Sequence, residues 1–228
     1  EGLRAGDMLE SIEGEVTTKM SLWEARKMLT GKEDTSVSLR LIRTRRSAPT
    51  QIELVRKGVT VPEISARLLE EGLGLLLVPH FEEGSAETIL SKLKMLQAMG
   101  VKGLMVDIRG TALGVFQEAI KASDLFLTKG EKILTVKNRR DVEEDFFSLT
   151  EPSVSDIPVI LLIDEGTSGV AEIFAAALKD QSVAETVGQK TNGQGAEQRM
   201  FHLEDGSVME ISDRLFYRAT GTAIQGRD

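Results

Sequence analysis

The sequence predicts a layered α/β protein preceded by a small β-rich α+β segment. Two observations carry this. From Ala66 onward, apolar strand-sized runs such as Leu73–Val78 and Ile157–Ile163 alternate with helical stretches, the pattern of a sheet buried on both faces. Before that, from Glu1 to about Val59, the order reads strand, turn, strand, helix, strand, strand, with period-two alternation in "SVSLRLIRT" and "QIELVRK".

In the first zone, "GDMLESIEGEVTT" alternates around a Glu13-Gly14-Glu15 turn. "SLWEARKMLTG" is a helix with Ser21 as N-cap, Glu24 completing a capping box and Gly31 as its stop. Arg43, Arg45 and Arg46 fall at the turn between the two alternating strands, as a solvated hairpin tip. A connector over 60–65, containing Pro62, leads into the second zone.

There "GLGLLLVPHF" reads as a strand and "SAETILSKLKMLQAMG" as a helix capped by Ser85 and ended by Gly100. "VKGLMVDIRG", "VFQEAIKASDLFL" and "EKILTVKN" continue as strand, helix and strand. Residues 139–156 are polar and mixed and read as a loop. Pro158–Ile163 is the next strand, followed by a turn at Asp164-Glu165-Gly166 and a helix over Ala171–Leu178. The remainder ends in a hairpin with its turn at Glu204-Asp205-Gly206.

Composition narrows the function. A net charge of −8 over 228 residues argues against nucleic acid or an anionic membrane as the main partner. Cysteine is absent, so disulfides and thiolate metal sites are excluded. The two histidines, His80 and His202, make a poor metal set, and no metal or cofactor is expected. No apolar run reaches transmembrane-helix length. The paired glycines Gly72/Gly74 and Gly193/Gly195 lack a phosphate-loop context. The chain reads as a piece of a longer protein.

The order and spacing of "LGLLLVPHF", "GLMVDIRG", "EIFAAALKD", "VGQKTNGQG" and "LEDGSVMEIS" resemble the core of the C-terminal processing, or tail-specific, serine peptidases. "GLRAGDMLESIEGEVTTKMSLWEARKMLTGKEDTSVSLRLIR" resembles the latter part of a PDZ domain. The resemblance implies a partial PDZ domain over 1–59, a linker over 60–65 and a peptidase-like α/β core of crotonase/ClpP-like type over 66–228. It also implies a location outside the cytoplasm, in the periplasm or at a cell surface.

The family's implied mechanism is a Ser–Lys dyad, in which a desolvated neutral lysine takes the serine proton. The serine block here reads Thr167-Ser168-Gly169-Val170-Ala171-Glu172, which puts Gly169 at the nucleophile position. The lysine block reads Gly193-Gln194-Gly195, which puts Gln194 at the base position; the polar partner four residues on is kept as Gln198. In the oxyanion turn, Thr111-Ala112-Leu113-Gly114, Gly114 is retained and one expected glycine is Leu113.

A glycine cannot attack a carbonyl, and an amide is not a base near neutral pH. The resemblance therefore points to a pseudopeptidase that binds peptides or protein C-termini, or an active peptidase as partner. The alternative is an active serine endopeptidase with Ser168 as a relocated nucleophile. Against that stand a helix N-cap role for the Ser168 hydroxyl and a four-residue offset that leaves Lys190 a solvated lysine. Asp107 and Arg109 are expected to hold the adjoining turn. By resemblance, Leu22, Trp23 and Arg26 are candidate peptide contacts on the PDZ helix, with packing against core or linker preferred for Trp23.

Overall fold

The computed structural model describes residues 3, 6–43, 48–58, 60–138, 140, 142–154, 156–203 and 207–226. Arg45, Arg46 and the Glu204-Asp205-Gly206 turn lie outside them. The chain divides into two compact units, Glu1–Thr60 and Val61–Asp228.

The first unit is a four-stranded antiparallel sheet of β1 (Met8–Ile12), β2 (Glu15–Val16), β3 (Ser36–Ile42) and β4 (Thr50–Val55), in the order β2-β1-β3-β4. Strand β3 alternates buried and exposed residues, and Val37, Leu39 and Leu41 form a small core with Ile12. Helix α1 (Leu22–Leu29) starts at Ser21, whose hydroxyl accepts the Glu24 amide while Glu24 Oε2 accepts the Ser21 amide at 2.7 Å. Trp23 is 43% exposed, with Lys27 Nζ 5.2 Å from its ring centre. Of the expected packing against core or linker, this exposure corrects the core. The indole is partnered by a cation one turn along the same helix.

The second unit carries two sheets. One has five strands in the order β11-β10-β7-β6-β5: β5 (Ser65–Leu68), β6 (Leu73–Leu77), β7 (Gly103–Asp107), β10 (Val159–Ile163) and β11 (Ala184–Gly188). All neighbours pair in parallel except the edge strand β5, which runs antiparallel to β6. Ser65, assigned to the connector by sequence, is the first residue of β5. The other sheet is antiparallel, ordered β12-β13-β8-β9: β8 (Lys132–Asn138), β9 (Glu143–Phe147), β12 (Ala196–His202) and β13 (Val208–Arg218).

Strand β9 corrects the reading of 139–156 as a loop. Its sequence, Glu143-Glu144-Asp145-Phe146-Phe147, has no alternation, and β8 completes it with backbone pairing and cations: Lys132 meets Asp145 at 2.7 Å and Lys137 meets Glu143 at 2.6 Å.

Helices α2 (Ser85–Ala98), α3 (Phe116–Asp124) and α4 (Val170–Asp180) fill the connections. In α4, Ala171, Phe174, Ala175 and Leu178 enter the cluster with Leu76, Val106 and Leu161 of the parallel sheet. Ile173 and Ala177 enter the cluster with Ile133, Val136 and Phe216 of the antiparallel sheet. A helix apolar on both sides belongs between two layers, which is where "AEIFAAAL" lies. The cap of α2 also differs from expectation. Gly84, at φ +84°, is the N-cap, and Ser85 is the first helical residue with its hydroxyl 3.2 Å from His80 Nδ1. His80 itself lies beyond the end of β6, while His202 is the last residue of β12.

Candidate active site

Two loops leave the C-terminal ends of the parallel strands β7 and β10, the side where open α/β sheets place their ligands. Buried polar groups stitch them together. Thr167 is fully buried and its hydroxyl donates to the Ile108 carbonyl at 3.0 Å. Asp164 Oδ1 accepts the Gly110 amide at 2.8 Å and the Gly166 amide at 3.0 Å. The Ser168 amide donates to the Thr111 carbonyl at 2.9 Å, and the Thr111 hydroxyl to the Val78 carbonyl at 2.7 Å. The first loop is therefore held to β6 as well as to the second loop.

Asp107 and Arg109 pair as expected at the base of the first loop, with Arg109 Nη2 2.7 Å from Asp107 Oδ2 and Arg109 Nε 2.9 Å from Oδ1. The guanidinium bonds hold the Asp107 carboxyl below its ordinary range.

Gly114 ends this loop in a bridge with Phe81, which donates its amide to the Leu113 carbonyl and accepts the Val115 amide, both at 2.8 Å. At φ +153°, a Cβ on Gly114 would lie 2.6 Å from the Phe81 Cβ and 2.7 Å from its carbonyl oxygen. Only glycine permits this approach. Leu113, in place of the other expected glycine, is 52% exposed.

Gly169 is the N-cap of α4, with φ +62° and ψ −121°. L-residues with side chains rarely hold that backbone, yet a Cβ built there meets nothing within 4 Å. The position thus has room for a side chain and a backbone that resists one. Ser168, expected as a possible N-cap, sits one residue too early. It is 5% exposed and its hydroxyl donates to Gln194 Oε1 at 2.8 Å, spanning 26 residues of sequence.

Gln194 is thus brought to the start of α4. Gln198 is four residues on, exposed in β12 opposite Ser212 of β13. Lys190 is exposed, in agreement with a solvated role. Leu22, Trp23 and Arg26 are all exposed on α1 in the first unit.

The residue that organises the site is one the sequence supplied only as an alignment anchor. Glu172 is 3% exposed, and its carboxylate accepts three backbone amides: Gly169 at 2.9 Å, Gly193 at 2.6 Å and Gln194 at 2.8 Å. One anion therefore closes the N-terminus of α4 and clamps the loop that carries Gln194. A glutamate three residues after an N-cap was the available signal for the first of these bonds; the other two cross more than twenty residues.

Chemically, the turn at the start of α4 carries no side chain at Gly169. The Ser168 hydroxyl faces an amide oxygen, which accepts a hydrogen bond but does not take up a proton near neutral pH.

Residues 72–228 match the family model for peptidase family S41. This chain belongs to that family. Among its curated relatives, the carboxy-terminal processing protease CtpA of Bacillus subtilis (strain 168) is 29% identical over 225 residues, covering 98% of this chain and 47% of the relative. The carboxyl-terminal-processing protease of Synechocystis sp. is 29% identical over 215 residues, covering 92% of this chain and 50% of the relative. The chain spans about half the length of these curated relatives.

The solved structure of a photosystem II D1 C-terminal processing protease shares the fold, with a TM-score of 0.89 at 24% identity over 98% of this chain and 61% of that one. Mature CPAF is more distant, with a TM-score of 0.59 at 12% identity over 100% of this chain and 71% of that one. The S41 match covers both loops, Gly169, Glu172 and Gln194.

Proposed function

We propose that this S41 chain is a pseudopeptidase: it retains the scaffold of a carboxyl-terminal processing protease and binds peptides or protein C-termini without cleaving them. The observation that carries the reading is the pairing of Ser168 with Gln194 beside Gly169. The nucleophile position lacks a side chain, the base position holds an amide, and the one nearby hydroxyl is committed to that amide. The clamp at Glu172 and the bridge at Gly114 keep the surrounding backbone in order, so loss of chemistry has not brought loss of structure.

The first unit is, on this proposal, a partial PDZ domain over 1–59, joined by a linker over 60–65 to a core over 66–228. PDZ domains add an extended peptide as a strand. Its helix α1 presents Leu22, Trp23 and Arg26 as the peptide contacts. The named relatives process protein C-termini, and the proposed ligands here are of that class, with an active peptidase as a possible further partner. Residence outside the cytoplasm belongs to the same proposal. Among the described residues no helix is long and apolar enough to cross a membrane.

Casein hydrolysis by the purified chain, beside Ser168→Ala, tests the reading. The expected result is no turnover above a buffer blank from either protein. Turnover that disappears in Ser168→Ala overturns it and makes Ser168 a relocated nucleophile. The double variant Gly169→Ser with Gln194→Lys then measures how much of the peptidase site survives.

A further inference from the structure

Helix α4 borders a cavity that shares Glu172 with the candidate active site. It has a volume of about 210 Å³ and is lined by Lys179, Thr186, Lys190, Thr191, Arg218 and Thr222. These come from the last turn of α4, from β11 and the segment after it, and from the end of β13 and its following turn. Glu172 forms part of the wall.

Charge is the informative property. The chain carries a net −8, yet this lining has three cations and a single carboxylate. That carboxylate accepts the three amides of Gly169, Gly193 and Gln194 and is outnumbered by the cations of the lining. Arg218 is committed to Asp180, with its Nε 3.1 Å from Oδ1. Lys179 and Lys190 have no described carboxylate within ion-pairing distance. Two exposed lysines without an ion-pair partner and three threonines therefore line one concavity, beside Ile163, Ala175, Ala176, Ala223 and Ile224; lysine is a donor and a threonine hydroxyl both donor and acceptor. Its volume falls below the roughly 300–1,000 Å³ of pockets for drug-sized ligands, so it suits a small anion with at most a short substituent.

We propose that this cavity is a binding site for a phosphate-type oxyanion, either free in solution or borne by a small organic molecule. The ammonium groups supply the charge and the hydroxyls supply short directional bonds to the remaining oxygens. The cavity adjoins the candidate active site through Glu172. Lys190 and Thr191 lead into Asn192, whose amide donates to the Thr167 carbonyl at 3.0 Å, and then into Gln194. An anion that draws in Lys190 and Thr191 tightens the segment that presents Gln194 to Ser168.

Calorimetric titration of the purified chain with inorganic phosphate, sulfate and glycerol 3-phosphate, each against chloride at matched ionic strength, tests the proposal. Saturable binding is expected, weakened at least about tenfold in Lys179→Ala/Lys190→Ala. The charge-matched control Lys94→Ala/Lys129→Ala, at exposed lysines outside the cavity, is expected to stay within about twofold of the parent chain. Glycerol 3-phosphate binding more tightly than phosphate assigns the site to an organic phosphate; equal affinities assign it to the free anion. Absence of saturable binding for all three probes, or an equal loss in the control pair, overturns the proposal. Neither result bears on whether the chain cleaves casein, so the two readings fail separately.

Discussion

Two strand-to-helix joints of the same parallel sheet, β6 into α2 and β10 into α4, are assembled from matching parts. Each starts its helix from a glycine at positive φ, Gly84 or Gly169. In each, a buried glutamate accepts a backbone amide at the helix start: Glu118 takes the Ala86 amide at 2.9 Å, and Glu172 takes that of Gly169. Both also have a buried serine with a polar neighbour, Ser85 with His80 and Ser168 with Gln194.

They differ in backbone and in reach. Gly84, at ψ 0°, sits in the ordinary left-handed region. Gly169, at ψ −121°, holds a conformation in which side-chain-bearing residues are strained. Glu118 reaches α2 from α3 and is also paired with Lys121 at 2.8 Å, whereas Glu172 caps its own helix and gathers two further amides from a loop more than twenty residues away. The first joint is closed by a glutamate from another helix, 32 residues along the chain. The second joins two segments through one carboxylate and holds an unusual backbone at Gly169.

The comparison breaks most readily at the glutamates. Glu172→Ala leaves three amides without their acceptor and is expected to cost about 3 kcal/mol, against about half that for Glu118→Ala, by urea denaturation. Equal losses would show that the two additional amides held by Glu172 add nothing over the cap that Glu118 makes on α2. Gly169→Ala is next, at about 1–2 kcal/mol because the backbone opposes a Cβ, and Gly84→Ala is expected to be milder at about 1 kcal/mol. A larger effect at Gly84 would contradict the strain assigned to the second joint. Ser168→Ala removes one neutral hydrogen bond and should cost about 1 kcal/mol, with casein hydrolysis unchanged from the buffer blank.

The smallest effect is a local response to acid. Burial opposes ionisation of Asp124, but the hydroxyls of Ser148 and Thr150 and the amides of Leu149 and Thr150 outweigh it and hold the carboxyl below its ordinary value of 3.8. A lowered folded pKa contributes stability that is complete above 3.8 and is lost as pH falls through the folded value. Amide exchange at Leu149 and Thr150 should accelerate over that fall, and Asp124→Asn should remove the pH dependence.

Much of this was legible in the sequence where the signal is local. Ser21 and Glu24 lie three residues apart, so their reciprocal bonds depend on little beyond the helix they start. Strand β3 declares itself by alternation because one face alone is buried. The cap of α2 was misread by one residue because glycine and serine are both acceptable N-caps and only the backbone angles separate them. Strand β9 was missed because its acidic run becomes a strand only once the lysines and backbone of β8 are beside it.

By itself, then, the sequence determined which side chains are available at the site: Gly169 where a nucleophile is expected, Gln194 where a base is expected, and a glycine retained at 114. Composition cannot be altered by folding. The tertiary structure alone decided what the remaining groups do. It turned Ser168 from a cap into the partner of Gln194, made Glu172 the anchor of two segments, and collected Lys179 and Lys190 into one cavity. Those outcomes depend on groups far apart in the chain meeting at a few ångströms, and the buried helix between the two sheets is what brings them there.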